Sequence, residues 1–295
     1  MIELRDMQLL IALARHQHFA KAAQACGISQ PAFSMRIRNL EQKLGLAIVR
    51  RGNRFLGFTE QGETLIRRAR GILDDAKALE QELSLVDGQV SGRITLGAIP
   101  TALAHASHLC VQLHQAHPGI VVSIESATSM AIQQGIEAGS MDAGITYDDS
   151  VSPDLLDVRH LYDEEYVLLV PEAMAPKTAG SISWRAAADL PLSLLEPQMQ
   201  NRRILNRMFD ELGAVPRVIS ETNGFMASLI MAREGLCATI LPAVLTSALG
   251  DLGGTVVLPL TEPELKRSIC LVSPVRTPGL PAVEALRRLV EDDVQ

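Results

Sequence analysis

Residues 29–45 read SQPAFSMRIRNLEQKLG, a helix-start signal followed by two arginines beside an apolar stripe. Phe33, Ile37, Leu40 and Leu44 recur at intervals of four, three and four, the spacing with which one helix face meets a core. Ser29 is placed to cap this helix, and Pro31 fits its first turn, where amide hydrogens lack intrahelical partners. Gln30, Ser34, Met35, Arg36 and Arg38 point wholly or partly away from the stripe. All of these but Met35 carry donors suited to phosphates or base edges. On an isolated helix the same residues would equally make a solvated charged face. The surrounding chain has to separate the two.

Upstream, HFAKAAQACGIS (residues 18–29) forms a second helical stretch, with Phe19, Ala22, Ala23 and Cys26 inward and Gly27 as the break. Two helices meeting at a tight turn read as a helix-turn-helix, whose second helix enters the DNA major groove. A preceding helix, LRDMQLLIALARHQ, offers Leu9, Leu10 and Leu13 to close a three-helix core. Downstream, LAIVRRGNRFLGFT reads as a short two-stranded wing around Gly52 and Asn53, with Arg50, Arg51 and Arg54 at or near its tip.

Charge partition supports this reading. The chain carries a formal net charge of −7, which by itself argues against a nucleic-acid partner. Residues 1–70, however, hold 12 Lys/Arg against 5 Asp/Glu, a net of +7, and the remaining residues hold 15 against 29, a net of −14. A basic segment that coincides with the helix-turn-helix is the footprint of phosphate neutralisation, and the acidic remainder discourages indiscriminate sticking.

Thr59 is a hydroxyl cap for a long helix whose apolar residues are Leu65, Ala69, Ile72, Ala76, Leu79, Leu83 and Val86, spaced 4, 3, 4, 3, 4, 3. Three heptads, roughly 33 Å at 1.5 Å per residue, suit a helix pair and predict a homodimer. The alternative is a helix lying on its own domain. A dimer would set two recognition helices apart, on a two-fold related DNA site.

VDGQVSGR (residues 86–93) is glycine-rich and aperiodic, and predicts a hinge. Beyond it, RITLGAI, VVSIESA and DAGITYD alternate with helical TALAHASHLCVQLHQAH and SMAIQQGIEAG, a βαβαβ pattern. LPLSLLE, NRRILNRMFDELG, PRVISET, GFMASLIMAREG and LCATILP begin a second round. The expected class is therefore an N-terminal all-α winged helix-turn-helix (1–58), a linker/dimerisation helix (59–87), a hinge (88–92) and a two-lobed α/β domain (93–295).

Ligands on open parallel sheets sit beyond the carboxyl ends of strands, where helix N-termini offer unpaired N–H groups. Those ends carry Pro100, Thr101 and Ala102, Thr128 and Ser129, Thr146, and Thr222 and Asn223. Such hydroxyls and amides suit a small organic anion, and Arg202, with Arg203 beside it, adds a guanidinium clamp for a carboxylate. Simple N-capping by the same hydroxyls is the competing reading.

Four cysteines, Cys26, Cys110, Cys237 and Cys270, lie apart in apolar surroundings and read as buried free thiols. His105 with His108, and His114 with His117, have helical i, i+3 spacing but no accompanying ligand cluster, so no metal and no other cofactor is expected. No phosphate loop, nucleophile elbow, zinc-protease signature or dinucleotide fingerprint supports an enzyme. A transport solute-binding protein would share the two lobes, but it requires a secretory leader that MIELRDMQ does not provide, and it has no use for the basic segment. A cytoplasmic location without membrane contact is expected.

AAQACGISQPAFSMRIRNLEQKLG followed by RRGNRFLGFTEQG resembles the N-terminal signature of LysR-type transcriptional regulators. SIESATSMAIQQGIEAGSMDAGI and SLIMAREGLCATILP resemble landmarks of that family's effector-binding region, so the likeness spans the chain. The resemblance implies that Gln30, Pro31, Ser34 and Arg36 approach double-stranded promoter DNA and that Arg54 contacts its backbone. It also implies dimerisation through the linker helix, a homotetramer built from two dimers, contact with RNA polymerase, and a small-molecule effector between lobes like those of periplasmic binding proteins. The chain would cross between the lobes near residues 162–166 and return near 264–269, which puts about 93–163 and 268–295 in lobe 1 and about 164–267 in lobe 2. Two positions depart from the pattern: Met35 replaces a polar or basic residue, and His18 replaces a hydroxyl cap. Peroxide-sensing members keep a reactive cysteine pair in the second lobe, and residues 195–215 contain no cysteine, so that mechanism is not expected here.

Overall fold

Apolar residues at helical spacing build the first unit: α1 (Leu4–His16), α2 (Phe19–Ala25) and α3 (Gln30–Leu44). They enclose Leu9, Leu10, Leu13, Ala22, Ala23, Phe33, Ile37 and Leu40. The computed structural model describes residues 2–51, 55–83, 90–150, 156–176, 180–275 and 279–293. Arg54, Val86 and the Arg51 side chain fall outside what is described. Two short strands, β1 (Val49–Arg51) and β2 (Phe55–Phe58), pair antiparallel as the wing. Phe55 seats the wing edge-on against Phe19, with ring centroids 6.1 Å apart. Gly62, in the first turn of α4 (Glu60–Leu83), passes so close to the Ile48 carbonyl that a Cβ there would stand 2.2 Å from the oxygen. That close approach requires glycine.

Helix α4 presents three faces. Ile66 and Ala69 are buried in the N-terminal core, and Leu65 and Leu73 are partly packed against it. Ala78 and Gln81 are buried further along, Ala78 in the core of the C-terminal domain. Ile72, Leu79 and Leu83 are exposed, Leu83 at 78%. The dimer stripe expected from the heptads is thereby corrected at its first two members: Ala69 serves its own domain, and Leu65 leans on it. A straight helix drifts about 20° per heptad, so one seven-residue repeat cannot hold a single face over three heptads.

Beyond the linker come β3 (Gly92–Ala98), a 3₁₀ turn over Pro100–Ala102, α5 (Leu103–Ala116), β4 (Ile120–Ser126), α6 (Ser129–Glu137) and β5 (Ala143–Tyr147). Strands β4, β3 and β5 lie parallel in that order. The chain then runs through β6 (Leu156–Pro171), β7 (Ile182–Ser183), α7 (Trp184–Ala188), β8 (Leu192–Leu195), α8 (Gln200–Glu211), β9 (Val218–Thr222) and α9 (Phe225–Arg233). It ends with β10 (Ala238–Pro242), α10 (Ala243–Leu249), β11 (Thr255–Thr261), β12 (Lys266–Pro274) and α11 (Pro281–Asp293).

Strand β6 connects the lobes. Its first part, Leu156 to Glu165, pairs antiparallel with β12 in lobe 1, and Tyr166 onward pairs with β10 and β11 in lobe 2. In lobe 2, β10, β8 and β9 are parallel. One apolar cluster runs through both lobes, from Ile94 and Leu113 to Trp184 and Phe209. The mostly parallel arrangement expected from the sequence is therefore mixed: β12 runs against β5 and β6 in lobe 1, and β6 runs against β10 and β11 in lobe 2.

Candidate DNA-binding face and effector cleft

Ser29 Oγ accepts the Ala32 amide at 3.4 Å, Pro31 occupies the first turn, and Gly45 ends α3 in the left-handed region at φ 66°. With Phe33, Ile37 and Leu40 fixed inside, Gln30, Pro31, Met35, Arg36 and Arg38 are exposed and Ser34 is half-buried. The departure at His18 has a structural answer: its Nδ1 accepts the Lys21 amide at 3.4 Å, so a ring nitrogen takes the capping role of a hydroxyl. Glu41 Oε1 accepts the Ile48 and Val49 amides at 2.9 and 3.1 Å, tying the end of α3 to the start of the wing. Thr59 Oγ1 donates to the Ala47 carbonyl at 2.7 Å and accepts the Gly62 amide at 3.0 Å, capping α4 onto the same turn. The outcome is a solvent-facing polar surface of α3 held rigidly beside a basic wing.

The expected effector residues divide differently. Pro100, Thr101, Ala102 and Thr146 are buried, Thr101 completely, and do not form an open ring of hydroxyls. Thr128 caps α6 by accepting the Ala131 amide at 3.2 Å, and Thr222 Oγ1 donates to the Gly224 carbonyl at 3.0 Å. For these two hydroxyls the capping and turn-forming role is the one seen. Ser129 Oγ is buried without a hydrogen-bond partner, and Asn223 is exposed. Arg202 does not present an open clamp. Its Nη1 donates to the Leu195 carbonyl at 2.8 Å and to Glu221 at 3.0 Å, and its Nε donates to Asn206 at 2.9 Å. The guanidinium ties α8 to the ends of β8 and β9, because a buried cation is stable only when its donors are engaged inside the fold. Arg203 is exposed and donates to the Gln198 carbonyl at 2.7 Å.

The carboxyl end of lobe 1 holds a cluster that the sequence reading missed. Glu164, 1% exposed on β6, accepts the Tyr147 hydroxyl at 2.9 Å, and the Tyr147 and Thr101 hydroxyls stand 3.4 Å apart. Thr146 Oγ1 and the Tyr162 hydroxyl are buried without hydrogen-bond partners, and the buried Tyr166 hydroxyl is a neighbour of Glu164. Burial pushes the Glu164 carboxyl up to about 7, against the opposing pull of its hydroxyl neighbours. Burial, reinforced by Glu164, also raises the Tyr147 and Tyr166 phenols well above their ordinary range. The available signal was the alternation Tyr162, Glu164, Tyr166, three residues on one face of a strand. Asn201, in the first turn of α8, is likewise buried with both amide atoms unpartnered.

All four cysteines are free thiols, but only Cys237 and Cys270 are buried; Cys26 and Cys110, expected to be buried, are half-buried because Cys26 lies at the end of its helix and Cys110 at the edge of its helix's apolar face. Burial pushes the Cys270 thiol up to about 12 and raises that of Cys237, so neither is activated as a thiolate. His108 and His114 are exposed, whereas the His105 ring packs at a tilt against Tyr162, with centroids 4.8 Å apart. Among the described residues no group of three or more His, Cys, Asp and Glu could hold a metal ion, and no helix is long and apolar enough to cross a membrane.

Residues 4–63 match the family described as bacterial regulatory helix-turn-helix protein, lysR family, and residues 87–295 match the LysR substrate binding domain. The DNA-binding transcriptional dual regulator OxyR of Escherichia coli K12 is 30% identical, over 97% of this chain and 95% of its own length. The SDS degradation transcriptional activation protein of a Pseudomonas species is 29% identical, over 99% and 97%. A full-length OxyR variant from Pseudomonas aeruginosa superposes with a TM-score of 0.71 at 25% identity, covering 99% of this chain and 97% of that one. CbnR in complex with its target DNA gives a TM-score of 0.63 at 20% identity, with 99% of each chain covered, a likeness of fold. The chain belongs to the LysR family, whose members are DNA-binding transcriptional regulators and not enzymes.

Proposed function

We propose that this regulator binds promoter DNA as a homodimer, or as a tetramer of two dimers, through α3 and the wing, and that a small molecule in the cleft between its lobes controls it. The observation that carries the reading is the exposed face of α3, with Gln30, Ser34, Arg36 and Arg38 on a segment of net charge +7. Arg36, nearer the helix start, reads base edges; Arg38 meets phosphate. Ile72, Leu79 and Leu83 form the dimer seam, supported by the exposure of these three apolar side chains on one face of a helix whose remaining exposed residues are polar or charged. The working units are residues 1–58, 59–87, 88–92 and 93–295, acting in the cytoplasm where the DNA lies.

For the effector, the organic-anion class keeps the α6 terminus at Thr128 and Ser129, while the Arg202 guanidinium is engaged inside its own lobe. Peroxide sensing through a thiol pair finds no support: Cys237 and Cys270 are buried with raised thiols, and no cysteine lies between residues 195 and 215. The peroxide named for the relatives is therefore not assigned to this chain. The test is a mobility-shift assay on the DNA flanking its own gene, repeated with a panel of small carboxylates, alcohols and amines. Specific binding that one compound alters is expected, and absence of binding at low salt would refute the reading.

A further inference from the structure

We infer that Arg70, Lys77 and Gln81 form a latch that fixes the linker helix to lobe 1 of the same chain and reports the state of the cleft to it. At about 100° per residue, positions 70, 77 and 81 fall within about 40° of one another on the helix, opposite the exposed Leu79 and Leu83. Each meets a different element. Arg70 Nη1 donates to the carbonyl of Glu137, the last residue of α6. Lys77 Nζ reaches both oxygens of Asp142, at 2.7 and 2.8 Å, in the turn that enters β5. Gln81, 3% exposed, accepts the Ala282 amide at 3.1 Å at the start of α11.

Asp142 is itself fixed. Its Oδ2 accepts the Thr95 amide at 2.8 Å, and its own amide donates to the Thr95 carbonyl at 2.8 Å, so the ion pair reaches the middle of β3. The pair is partly shielded, with the carboxylate 11% exposed, where attraction exceeds that of an open surface pair. Gly92, at the start of β3, lies so close to Gln81 that a Cβ there would stand 2.8 Å from its side chain. Ala78 packs into the lobe core between these contacts.

The elements gripped at this end carry the cleft at the other. Helix α6 begins at the Thr128 cap and Ser129 and ends at the Glu137 carbonyl. Strand β5 begins just after Asp142 and ends at Thr146 and Tyr147, beside Glu164. Both are short rigid elements, so a displacement at the cleft appears at the latch without intervening loops. The reporting role rests on the cleft reading above; the docking of α4 does not.

The test is amide hydrogen exchange on the full-length protein. Lys77→Met keeps the apolar stem, and Asp142→Asn keeps an acceptor for the Thr95 amide. Each should speed exchange across residues 70–83 by about tenfold, and the double variant should add nothing to the stronger single one. Unchanged exchange, or additive effects, would overturn the latch. Thr128→Ala loosens the cleft end of α6; it should alter exchange in α4 of the parent protein and leave α4 unaffected on an Arg70→Met background, where the contact with the Glu137 carbonyl is gone. A response that persists there would overturn the reporting role. A mobility shift of the same proteins separates the two readings. Loss of DNA binding by the parent removes the regulator, while intact binding with α4 indifferent to Lys77 removes only the latch.

Discussion

The exposed face of α3 and the floor of the proposed cleft each draw polar groups from a handful of residues, yet they are built in opposite ways. On α3 the apolar stripe points inward and every expected contact residue stays at or near the surface. At the cleft, Thr101 and Thr146 are buried, Arg202 is bound on three sides by its own lobe, and the principal carboxyl belongs to Glu164, a residue on a crossover strand. A helix decides within one element which residues face water. A strand end acquires its neighbours from chain segments far away in sequence.

Five substitutions would break or sharpen that contrast. Phe33, fully buried against Phe19, anchors the recognition helix, and Phe33→Ala should cost about 3–5 kcal/mol. Denaturant unfolding checks it; a loss below about 1 kcal/mol would mean that the stripe does not hold the helix.

At the cleft floor the sign concerns a proton. The unfolded Glu164 releases its proton near the ordinary 4.5, whereas the folded group holds it to about 7. Folding therefore takes up a proton between these values, and stability falls as pH rises through that window before levelling off above it. Glu164→Gln has no proton to lose. It should flatten this part of the curve and exceed the parent at pH 8 by on the order of 3 kcal/mol. Thermal melts at pH 5 and 8 decide; identical pH slopes in both proteins would refute it.

On the exposed side, Arg36→Ala should weaken specific DNA binding by about 1–3 kcal/mol with little change on unrelated DNA, and Arg38→Ala should make the salt dependence shallower by about one unit of slope. Equal losses for Arg36 on both DNAs, or an unchanged slope for Arg38, would put those residues off the interface. The smallest effect is that of the cap. Ser29→Ala should remove about 1 kcal/mol of stability, and a variant as stable as the parent would show that Pro31 alone starts the helix.

In the N-terminal unit nearly every element was legible in the sequence, because period and turn chemistry act locally. The alternating helices and strands of the C-terminal region were legible for the same reason. β6, β11 and β12 were not. LDVRHLYDEEYVLLVP interleaves charged and apolar residues without a clean period of two, since its first half faces one lobe and its second half the other. The heptad stripe of α4 predicted one surface where the structure has three, because the helix is shared by two domains that touch it from different sides.

The sequence by itself determined the helix-turn-helix, its basic charge, the family and the alternation of helices and strands, all carried by spacing within a few turns or by composition over a segment. Only the tertiary structure decided that Arg202 closes on Glu221, that Glu164 is buried against the Tyr147 hydroxyl, and that Lys77 meets Asp142 across 65 positions of chain. Burial and pairing depend on which distant segments the fold brings together, and no local period encodes that.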